Sequence, residues 1–397
     1  MKRFTSLLDV FLLLGVLAGC GGGGSSTSNS GNNGMPPPAA PAAATQEFLY
    51  VSGTSGELFG FSVDASSGAL SPIRSGNPME VVGGNFDTGV VRMAADPQGN
   101  NLYVSRAALD GGPNLIVLFL MPDGSGNLGT WSDLAQTLNI PPGKVAVDSS
   151  SKNLYVIPDP SAKLDEIHSF SIAPGTPHSP HLVPLPTPVS GVSGIPQEIT
   201  LDPSGHYVYV TFAGAPGLQV AGYSRDQSTG ALTDLASSPF GNSGGSSQGI
   251  RITPDGTFAV IANAATNDAS VMSLNSSTGA LTNIGGSPFP AGANPLAVAV
   301  DPSSKFVFVS NQADNTLSAY TMSPEGALTG ISGSPFTVGS QPQGVTVDLS
   351  GKFVYVATAD GKVWGFGLNT GTSSLTPIAG SPFHANGALR DIVVLKP

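Results

Sequence analysis

Charged side chains are scarce in this sequence, and cysteine is nearly absent. Only 10% of the residues are Asp, Glu, Lys or Arg, against about 25% in an ordinary soluble domain. The formal net charge is −11, with only 15 Lys and Arg, which argues against a nucleic-acid partner because phosphate backbones need a basic surface. The single cysteine, Cys20, excludes a disulfide and a Cys-x-x-Cys metal or haem site within the chain.

Helical periodicity and long apolar runs are also missing. The apolar run Val10–Ala18 follows Lys2 and Arg3 and is too short to span a bilayer, so it predicts a signal peptide over residues 1–19. Its end, "LAGC" (Leu17–Cys20), resembles a bacterial lipobox. That resemblance implies a lipid on Cys20, which would anchor an exported protein in the cell envelope, with the outer membrane or periplasmic face favoured. An ordinary signal peptide with an incidental cysteine is the alternative.

Large side chains are almost absent from the next segment. Residues 20–46 are mostly Gly, Ser, Asn, Pro and Ala, a composition that buries too little apolar surface to fold. We therefore predict a disordered tether over residues 20–46 and a folded domain over residues 47–397.

Gly (52) and Pro (34) are abundant, and they recur periodically. The phrase "STGALTNIGGSPF" ends at Phe289, and related phrases end at Phe240, Phe336 and Phe383, at intervals of 49, 47 and 47 residues. A second phrase, of the type "DPSGHYVYV", alternates with it and starts at Asp96, Asp148, Asp202, Asp301 and Asp348. The residue pattern of each unit predicts four short strands separated by turns.

The repeats predict a closed ring. Counting the centre of each second strand gives seven units, at Tyr50, Tyr103, Tyr155, Tyr209, Val260, Phe308 and Tyr355. Four-stranded units at a period near 50 residues indicate an all-β, seven-bladed β-propeller with antiparallel blades. The first unit begins at its second strand, Glu47–Gly53, and the last residues, Leu389–Pro397, form an orphan inner strand. We expect this C-terminal strand to complete the first blade, and we expect a monomer.

Residues repeated in most blades are predicted to be structural, so function is sought where the symmetry breaks. The turn aspartates and the Ser-Pro-Phe triplets belong to the structural set. Four residues before each turn aspartate, or its equivalent, the ring order is Asp391, Arg92, Lys144, Glu198, Gly249, Ala297 and Gly344. Inner strands line the axial channel of a propeller. The pattern predicts a channel mouth with one charged and one open half.

Neighbouring positions add polar residues to this mouth. One residue earlier in the strands stand Arg390, Gln197, Gln248 and Gln343, and Arg251 lies deeper, where most other blades carry Ala or Thr. We predict that Arg390, Asp391, Gln197, Gln248, Arg251 and Gln343 contact a ligand. The alternative is that the charges form ion pairs with one another and have no function.

The repeat resembles a known family. "VSNQADNTLSAY" (Val309–Tyr320) is similar to the YVTN propeller repeat, and the blades resemble the seven-bladed lactonase family of 6-phosphogluconolactonase-like proteins over residues 47–397. This resemblance implies lactone hydrolysis. The family commonly carries histidine at the starts of inner strands, where this chain has Gln197, Gln248 and Gln343. His178 and His181 lie in a Pro-rich segment that predicts a loop, and no metal site or cofactor is predicted.

Two functions remain open from the sequence. The first is a binding module that holds a small molecule or a protein at the channel mouth. The second is a lactonase-type hydrolase of lactones or sugar lactones, in which Arg92 and Lys144 act as electrophiles and Glu198 as general base. A convergent pocket around these three residues would favour the enzyme, whereas a flat, salt-bridged rim would not.

Overall fold

The structure, a computed structural model, describes residues 46–74, 92–97, 99, 101–107, 115–120, 123–128, 135–138, 140–162, 164, 166–173, 181–186, 189–190, 194–214 and 220–396. The predicted signal peptide, Cys20, the predicted tether up to residue 45, and His178 lie outside these residues. Residues 45–397 form one structural unit. In the part of the chain that is described, no helix has the length and apolar character needed to cross a membrane.

The described strands pair into seven antiparallel sheets, numbered here from the N-terminus. Sheet 1 contains β1 (Glu47–Gly53), β2 (Leu58–Val63), β3 (Leu70–Pro72) and the last strand, β32 (Leu389–Leu395). Sheet 2 contains β4 (Arg92–Ala95), β5 (Leu102–Ala107), β6 (Leu115–Leu120) and β7 (Ala135–Leu138). Sheet 3 contains β8 (Val145–Val147), β9 (Asn153–Val156), β10 (Glu166–Ala173), β11 (His181–Pro184) and β12 (Val189–Ser190), with a short 3₁₀ helix, Pro160–Ala162, before β10. Sheet 4 contains β13 (Ile195–Leu201), β14 (Tyr207–Ala213), β15 (Val220–Arg225) and β16 (Leu232–Asp234).

The remaining three sheets follow one plan, in which four main strands are joined by a two-residue strand beside the third. Sheet 5 contains β17 (Ser247–Ile252), β18 (Phe258–Asn263), β19 (Asp268–Leu274), β20 (Leu281–Asn283) and β21 (Phe289–Pro290). Sheet 6 contains β22 (Pro295–Val300), β23 (Phe306–Asn311), β24 (Thr316–Met322), β25 (Leu328–Gly330) and β26 (Phe336–Thr337). Sheet 7 contains β27 (Pro342–Val347), β28 (Phe353–Thr358), β29 (Lys362–Asn369), β30 (Ser374–Pro377) and β31 (Phe383–His384).

This arrangement is an all-β propeller with four-stranded antiparallel blades, as the repeat predicted. The innermost strands pack side by side in the order β4, β8, β13, β17, β22, β27 and β32, and β32 also contacts β4. The predicted pairing of the two chain ends is found, since β1 pairs with β32 from Phe48 opposite Leu395 to Gly53 opposite Leu389. Sheet 1 therefore takes three strands from one end of the domain and one from the other.

The repeated tyrosines join neighbouring sheets. The second strands are rich in aromatic and β-branched residues, which suit a buried pleated sheet, and Tyr50, Tyr155, Tyr209 and Tyr355 are fully buried. Each hydroxyl donates a hydrogen bond of 2.7–2.8 Å to a glycine carbonyl in the "GALT"-type loop of the next sheet. Tyr355 of sheet 7, for example, reaches Gly68 of sheet 1. The phenol thus fills the core and satisfies a buried carbonyl in the adjoining sheet.

The turn aspartates have the structural role predicted for them. Asp301 Oδ1 accepts hydrogen bonds of 2.7 Å from the N–H groups of Lys305 and Phe306, and Oδ2 accepts one of 3.0 Å from Ser303. Asp348 makes the same contacts in sheet 7. The carboxylate therefore organises the turn between the first and second strands.

The Ser-Pro-Phe triplets are also structural. The serine hydroxyls of Ser238, Ser287, Ser334 and Ser381 each accept a hydrogen bond of 2.9–3.0 Å from a backbone N–H in the third strand of their own sheet. These N–H groups belong to third-strand residues just beyond the end of the short fourth strand, so the fourth strand offers them no backbone acceptor. The phenylalanine of each triplet packs onto a core cluster of its sheet.

Candidate functional site

Bulges at the starts of the inner strands place two successive residues at the channel mouth. Side chains of an unbroken strand alternate between its two faces. The pairing register shifts at Gln197, around Gln248, and at Leu296, Gln343 and Arg390, so that each strand carries one extra residue against its partner. Such a bulge re-aims a side chain. The glutamine row and the charged row behind it therefore reach the same cavity.

The cavity at this end of the channel, called here the upper cavity, has a volume of about 290 Å³. It is lined by seven of the nine predicted site residues, namely Arg92, Lys144, Gln197, Glu198, Gln248, Gln343 and Arg390. The amide groups of Gln197 and Gln343 each donate a hydrogen bond to a backbone carbonyl at the start of their own strand. The structure thus brings these seven residues together around one cavity.

Two arginines of the upper cavity share one carboxylate. Arg92 Nη2 lies 3.8 Å from Asp159 Oδ2, and Arg390 Nη2 lies 3.7 Å from the same oxygen. The Arg92 side chain is 11% exposed, and its buried Nε has no hydrogen-bond acceptor among the described residues. Burial and the nearby Arg92 lower the pKa of Arg390, while Asp159 and Asp391 oppose this shift. The pair with its carboxylate carries one excess positive charge.

A second group of charges forms a chain beneath them. Lys144 Nζ lies 3.1 Å from Glu198 Oε2 and 3.5 Å from Asp391 Oδ2, and Arg251 Nη1 lies 3.4 Å from Glu198 Oε1. Burial alone would raise the pKa of Asp391, but Lys144, Arg92 and the N–H groups of Met93 and Ile392 together hold that pKa below its ordinary value. The predicted ion-pair network therefore exists, and it forms one wall of a convergent pocket.

Arg251 and Asp391, the two remaining predicted site residues, line a different cavity. This lower cavity has a volume of about 420 Å³ and lies further along the inner strands, toward the turn aspartates. Lys144 and Glu198 line both cavities. The four residues Lys144, Glu198, Arg251 and Asp391 thus stand between the two spaces.

The open half of the mouth is formed by close contact between strands. A Cβ on Gly249 would lie 2.7 Å from the carbonyl oxygen of Leu296, and one on Gly344 would lie 2.9 Å from Ile392 Cγ2. Neither position has room for a side chain without a shift of its neighbours. The glycines that broke the charge pattern in the sequence therefore reflect tight packing of the inner strands in this half.

Sequence reasoning missed Asp159 and Gln312. Both follow a second strand, four residues after its central residue (Tyr155 and Phe308), where the other repeats carry Ala or Thr. Gln312 lines the upper cavity, and Asp159 holds the two arginines. Aligning this position across the repeats would have identified both residues.

The histidines that the structure describes line neither cavity. His181 begins strand β11 and is exposed, so the loop predicted for that position is wrong there. Among the described residues, no three His, Cys, Asp or Glu side chains are grouped so that they could hold a metal ion.

The arrangement of the upper cavity suits a small, polar and negatively charged molecule. Arg92 and Arg390 can donate paired hydrogen bonds to a carboxylate or a polarised carbonyl. The glutamines can donate to and accept from hydroxyl groups. In the network as a whole, four cations (Arg92, Lys144, Arg251 and Arg390) face three carboxylates (Asp159, Glu198 and Asp391). A single negative charge on a ligand would balance it.

Comparison with known proteins finds a matching family model and a similar fold. The model of the family "Lactonase, 7-bladed beta-propeller" matches residues 196–294 and 286–387. The fold is similar to a putative 6-phosphogluconolactonase from Bacteroides fragilis (TM-score 0.71, 15% identity, covering 90% of this chain and 100% of that one). A second putative 6-phosphogluconolactonase, from Bacteroides uniformis, gives a TM-score of 0.70 at 14% identity, covering 89% of this chain and 100% of that one.

A third solved structure has an extracytoplasmic location in its name. The periplasmic gluconolactonase of Pseudomonas aeruginosa gives a TM-score of 0.66 at 18% identity, covering 89% of this chain and 99% of that one. No sequence among curated proteins matches the chain. At these sequence identities the solved structures establish the fold alone. Together with the family model, they confirm the resemblance that was inferred from the repeat phrases.

Proposed function

From the premise that this chain is a lactonase-like propeller, we propose that its upper cavity binds a small sugar acid or sugar lactone. The observation that carries the proposal is the pair Arg92 and Arg390, which converge on one carboxylate at the cavity wall and retain a net positive charge. The buried Nε of Arg92, for which the described residues supply no acceptor, is a donor that a ligand oxygen could satisfy. The names of the similar structures point to the same class of compound.

Gluconate binding tests this proposal directly. Removing a charge-assisted hydrogen bond to a ligand costs about 1.5–3 kcal/mol, which weakens affinity roughly ten- to hundredfold. We expect Arg92→Ala and Lys144→Ala to lose affinity by this factor in isothermal titration calorimetry. Lys362→Ala, which removes a cation paired with Asp360 away from the channel, is the matched control and should bind as the parent does. Unchanged affinity in both channel variants would refute the site.

The second candidate function is hydrolysis of the lactone in the same cavity. Glu198 lies on the cavity wall beside Lys144, at 3.1 Å. In this mechanism Glu198 accepts a proton from water, the water oxygen attacks the lactone carbonyl, and Arg92 and Lys144 stabilise the oxyanion. The carbonyl–ring-oxygen bond then breaks, and the proton passes from Glu198 to the ring oxygen. Both oxygens of Glu198 contact cations in this structure, so water must first replace one of these contacts.

Glu198→Gln separates binding from turnover. The amide keeps the shape of the carboxylate but cannot accept the proton. If the protein is a lactonase, this variant should bind gluconate but hydrolyse glucono-lactone at least a hundredfold more slowly. Absence of hydrolysis by the parent on a panel of sugar lactones would remove the enzymatic function and leave the binding function.

The proposal extends to the whole chain. The seven sheets and the mutual packing of their inner strands support a closed seven-bladed propeller, and we propose that it is a monomer. We further propose that the protein is exported and anchored in the cell envelope by a lipid on Cys20, on the strength of the "LAGC" sequence. Cys20→Ser should move the protein out of the membrane fraction and abolish labelling with a radioactive fatty acid. Unchanged partitioning and labelling would contradict the anchor.

A further inference from the structure

The lower cavity differs in character from the upper one. Its rim contains Pro97, Ser149 and Pro203, which are exposed turn residues. It therefore opens on the side of the turn aspartates, whereas the upper cavity lies at the opposite ends of the inner strands. A volume of about 420 Å³ lies in the usual range for small-molecule sites, about 300–1,000 Å³.

The wall of the lower cavity has a band of small and apolar side chains between charged residues, and one charged side chain lies at the level of that band. Two residues after the charged row, the inner strands carry Ala94, Ala146, Thr200 and Val393. The equivalent residue in sheet 5 is Arg251, the only charged residue at this level of the cavity wall among those described. Ile199 and Ile392 add apolar surface. At the level of the small and apolar residues Arg251 is thus the charged group, while Lys144, Glu198, Asp202 and Asp391 lie elsewhere on the wall.

Arg251 is more exposed than the cations above it. Its side chain is 42% exposed, against 17% for Lys144 and 11% for Arg92. Its contacts within the described residues are made by Nη1, to the Ile250 carbonyl at 2.8 Å and to Glu198. A guanidinium has five N–H donors in a planar fork, so donors remain for a second carboxylate in the cavity.

We propose that the lower cavity is a second binding site, for a small amphipathic carboxylate whose head group binds Arg251 and whose apolar part contacts Ala94, Ala146 and Val393. A planar carboxylate matches the fork of the arginine. Besides Arg251 and Lys144, three carboxylates (Glu198, Asp202 and Asp391) line the cavity, and they would repel a second negative charge on the ligand. The site therefore selects monoanions over phosphates and dicarboxylates.

Hexanoate is a suitable probe, with acetate and 1-hexanol as matched controls that lack the apolar body and the charge. We expect calorimetry on the full chain to show one saturable hexanoate site and at least tenfold weaker binding of both controls. Arg251→Gln should weaken hexanoate binding about ten- to hundredfold. Ala94→Leu, which fills the cavity while leaving the charges in place, should weaken it as well.

The failure of this proposal is distinguishable from that of the upper site, because gluconate binding is measured separately. If Arg251 only neutralises Glu198, Arg251→Gln will lower the melting temperature and bind hexanoate as the parent does. That result would overturn the second site. Equal binding of hexanoate and 1-hexanol, or no hexanoate binding at millimolar concentration, would overturn it too.

Discussion

Carboxylates have different roles in two regions of the molecule. One region is the set of repeated turns and contacts between sheets, called here the framework, and the other is the wall of the axial channel. In the framework, Asp301 and Asp348 have their oxygens engaged by N–H groups of their own turns. In the channel, Asp159 and Asp391 face cations from neighbouring sheets. The framework carboxylates accept hydrogen bonds from the backbone of their own turns, whereas the channel carboxylates form longer ion pairs with cations around a cavity. Variants of the framework should therefore change stability alone, whereas variants of the channel should change binding, with a smaller effect on stability.

The largest effect is expected from removing the strand that joins the two ends. Deleting Leu389–Pro397 removes β32, which pairs with β1 and supplies Arg390 and Asp391. The inner edge of sheet 1 would then be unpaired. We expect loss of cooperative thermal unfolding or gross aggregation, whereas deleting residues 21–44 of the predicted tether should leave the melting transition unchanged. A truncated protein that melts like the parent would show that this pairing is dispensable.

A buried ion pair in the framework should have the next largest effect. Arg225 of sheet 4 lies 2.8 Å from Asp148 of sheet 3, and both side chains are almost fully buried. Arg225 also donates to the Tyr155 hydroxyl at 2.8 Å and the Asn153 side chain at 2.6 Å. Removing one partner of a buried pair leaves an uncompensated charge and costs about 3–5 kcal/mol. Arg225→Met should therefore lower the urea midpoint sharply without changing gluconate affinity.

Lys362→Met is the matched control for Arg225→Met. Lys362 pairs with Asp360 at 2.7 Å, but the two side chains are 33% and 28% exposed. Exposed pairs contribute about 0–1 kcal/mol. Equal destabilisation by the two substitutions would contradict the expected difference between a buried and a more exposed ion pair.

A smaller framework effect is expected at the tyrosines. Tyr209→Phe keeps the buried ring but removes the hydrogen bond of 2.8 Å to the Gly279 carbonyl. Leaving a buried acceptor unsatisfied costs about 1–3 kcal/mol. The unfolding free energy should fall by about this amount, and gluconate affinity should stay unchanged. An unaltered stability would mean that the contact between sheets 4 and 5 does not depend on the hydroxyl.

The channel charges should contribute a pH-dependent part of the stability. The folded-state pKa of Asp391 lies below its ordinary value, so the unfolded chain binds the proton more readily. The stabilisation is therefore present above the unfolded pKa, about 3.9, and is lost as the pH falls through the lower folded pKa. Asp391→Asn should be less stable than the parent at pH 7, with a gap that narrows in acid. A gap independent of pH would contradict the ion pair with Lys144.

Much of the fold could be predicted from the sequence because a propeller repeats one solution. The turn aspartates, the Ser-Pro-Phe triplets and the pairing of Glu47–Gly53 with Leu389–Leu395 each have a local signal. The site could be predicted in part, since Arg92, Lys144 and Glu198 break a repeated position. These exceptions could be recognised because the same position is Gly or Ala in three other blades.

What the sequence did not reveal depends on the path of the backbone. The bulges at Gln197 and Gln343 insert one residue into a strand, and the alternating pattern gives no sign of such an insertion. Asp159 reaches the arginines because Gly143 has no side chain; a Cβ there would lie 1.9 Å from the Ile157 carbonyl oxygen. The sequence also gave no sign of the lower cavity, because residues of its apolar band, such as Ala94 and Ala146, are ordinary residues for an inner strand.

The central claim is that the repeated positions contribute mainly to stability and that the exceptions lining the channel form the binding site. The most direct test is to measure gluconate affinity and melting temperature together for the parent, Arg92→Ala and Tyr209→Phe. We predict that Arg92→Ala binds about ten- to hundredfold more weakly with a melting temperature close to the parent's, because Arg390 still pairs with Asp159 in this variant. Tyr209→Phe should show the reverse, with parental affinity and a lower melting temperature. If the parent does not bind gluconate, or if Arg92→Ala binds it equally well, the claim is contradicted.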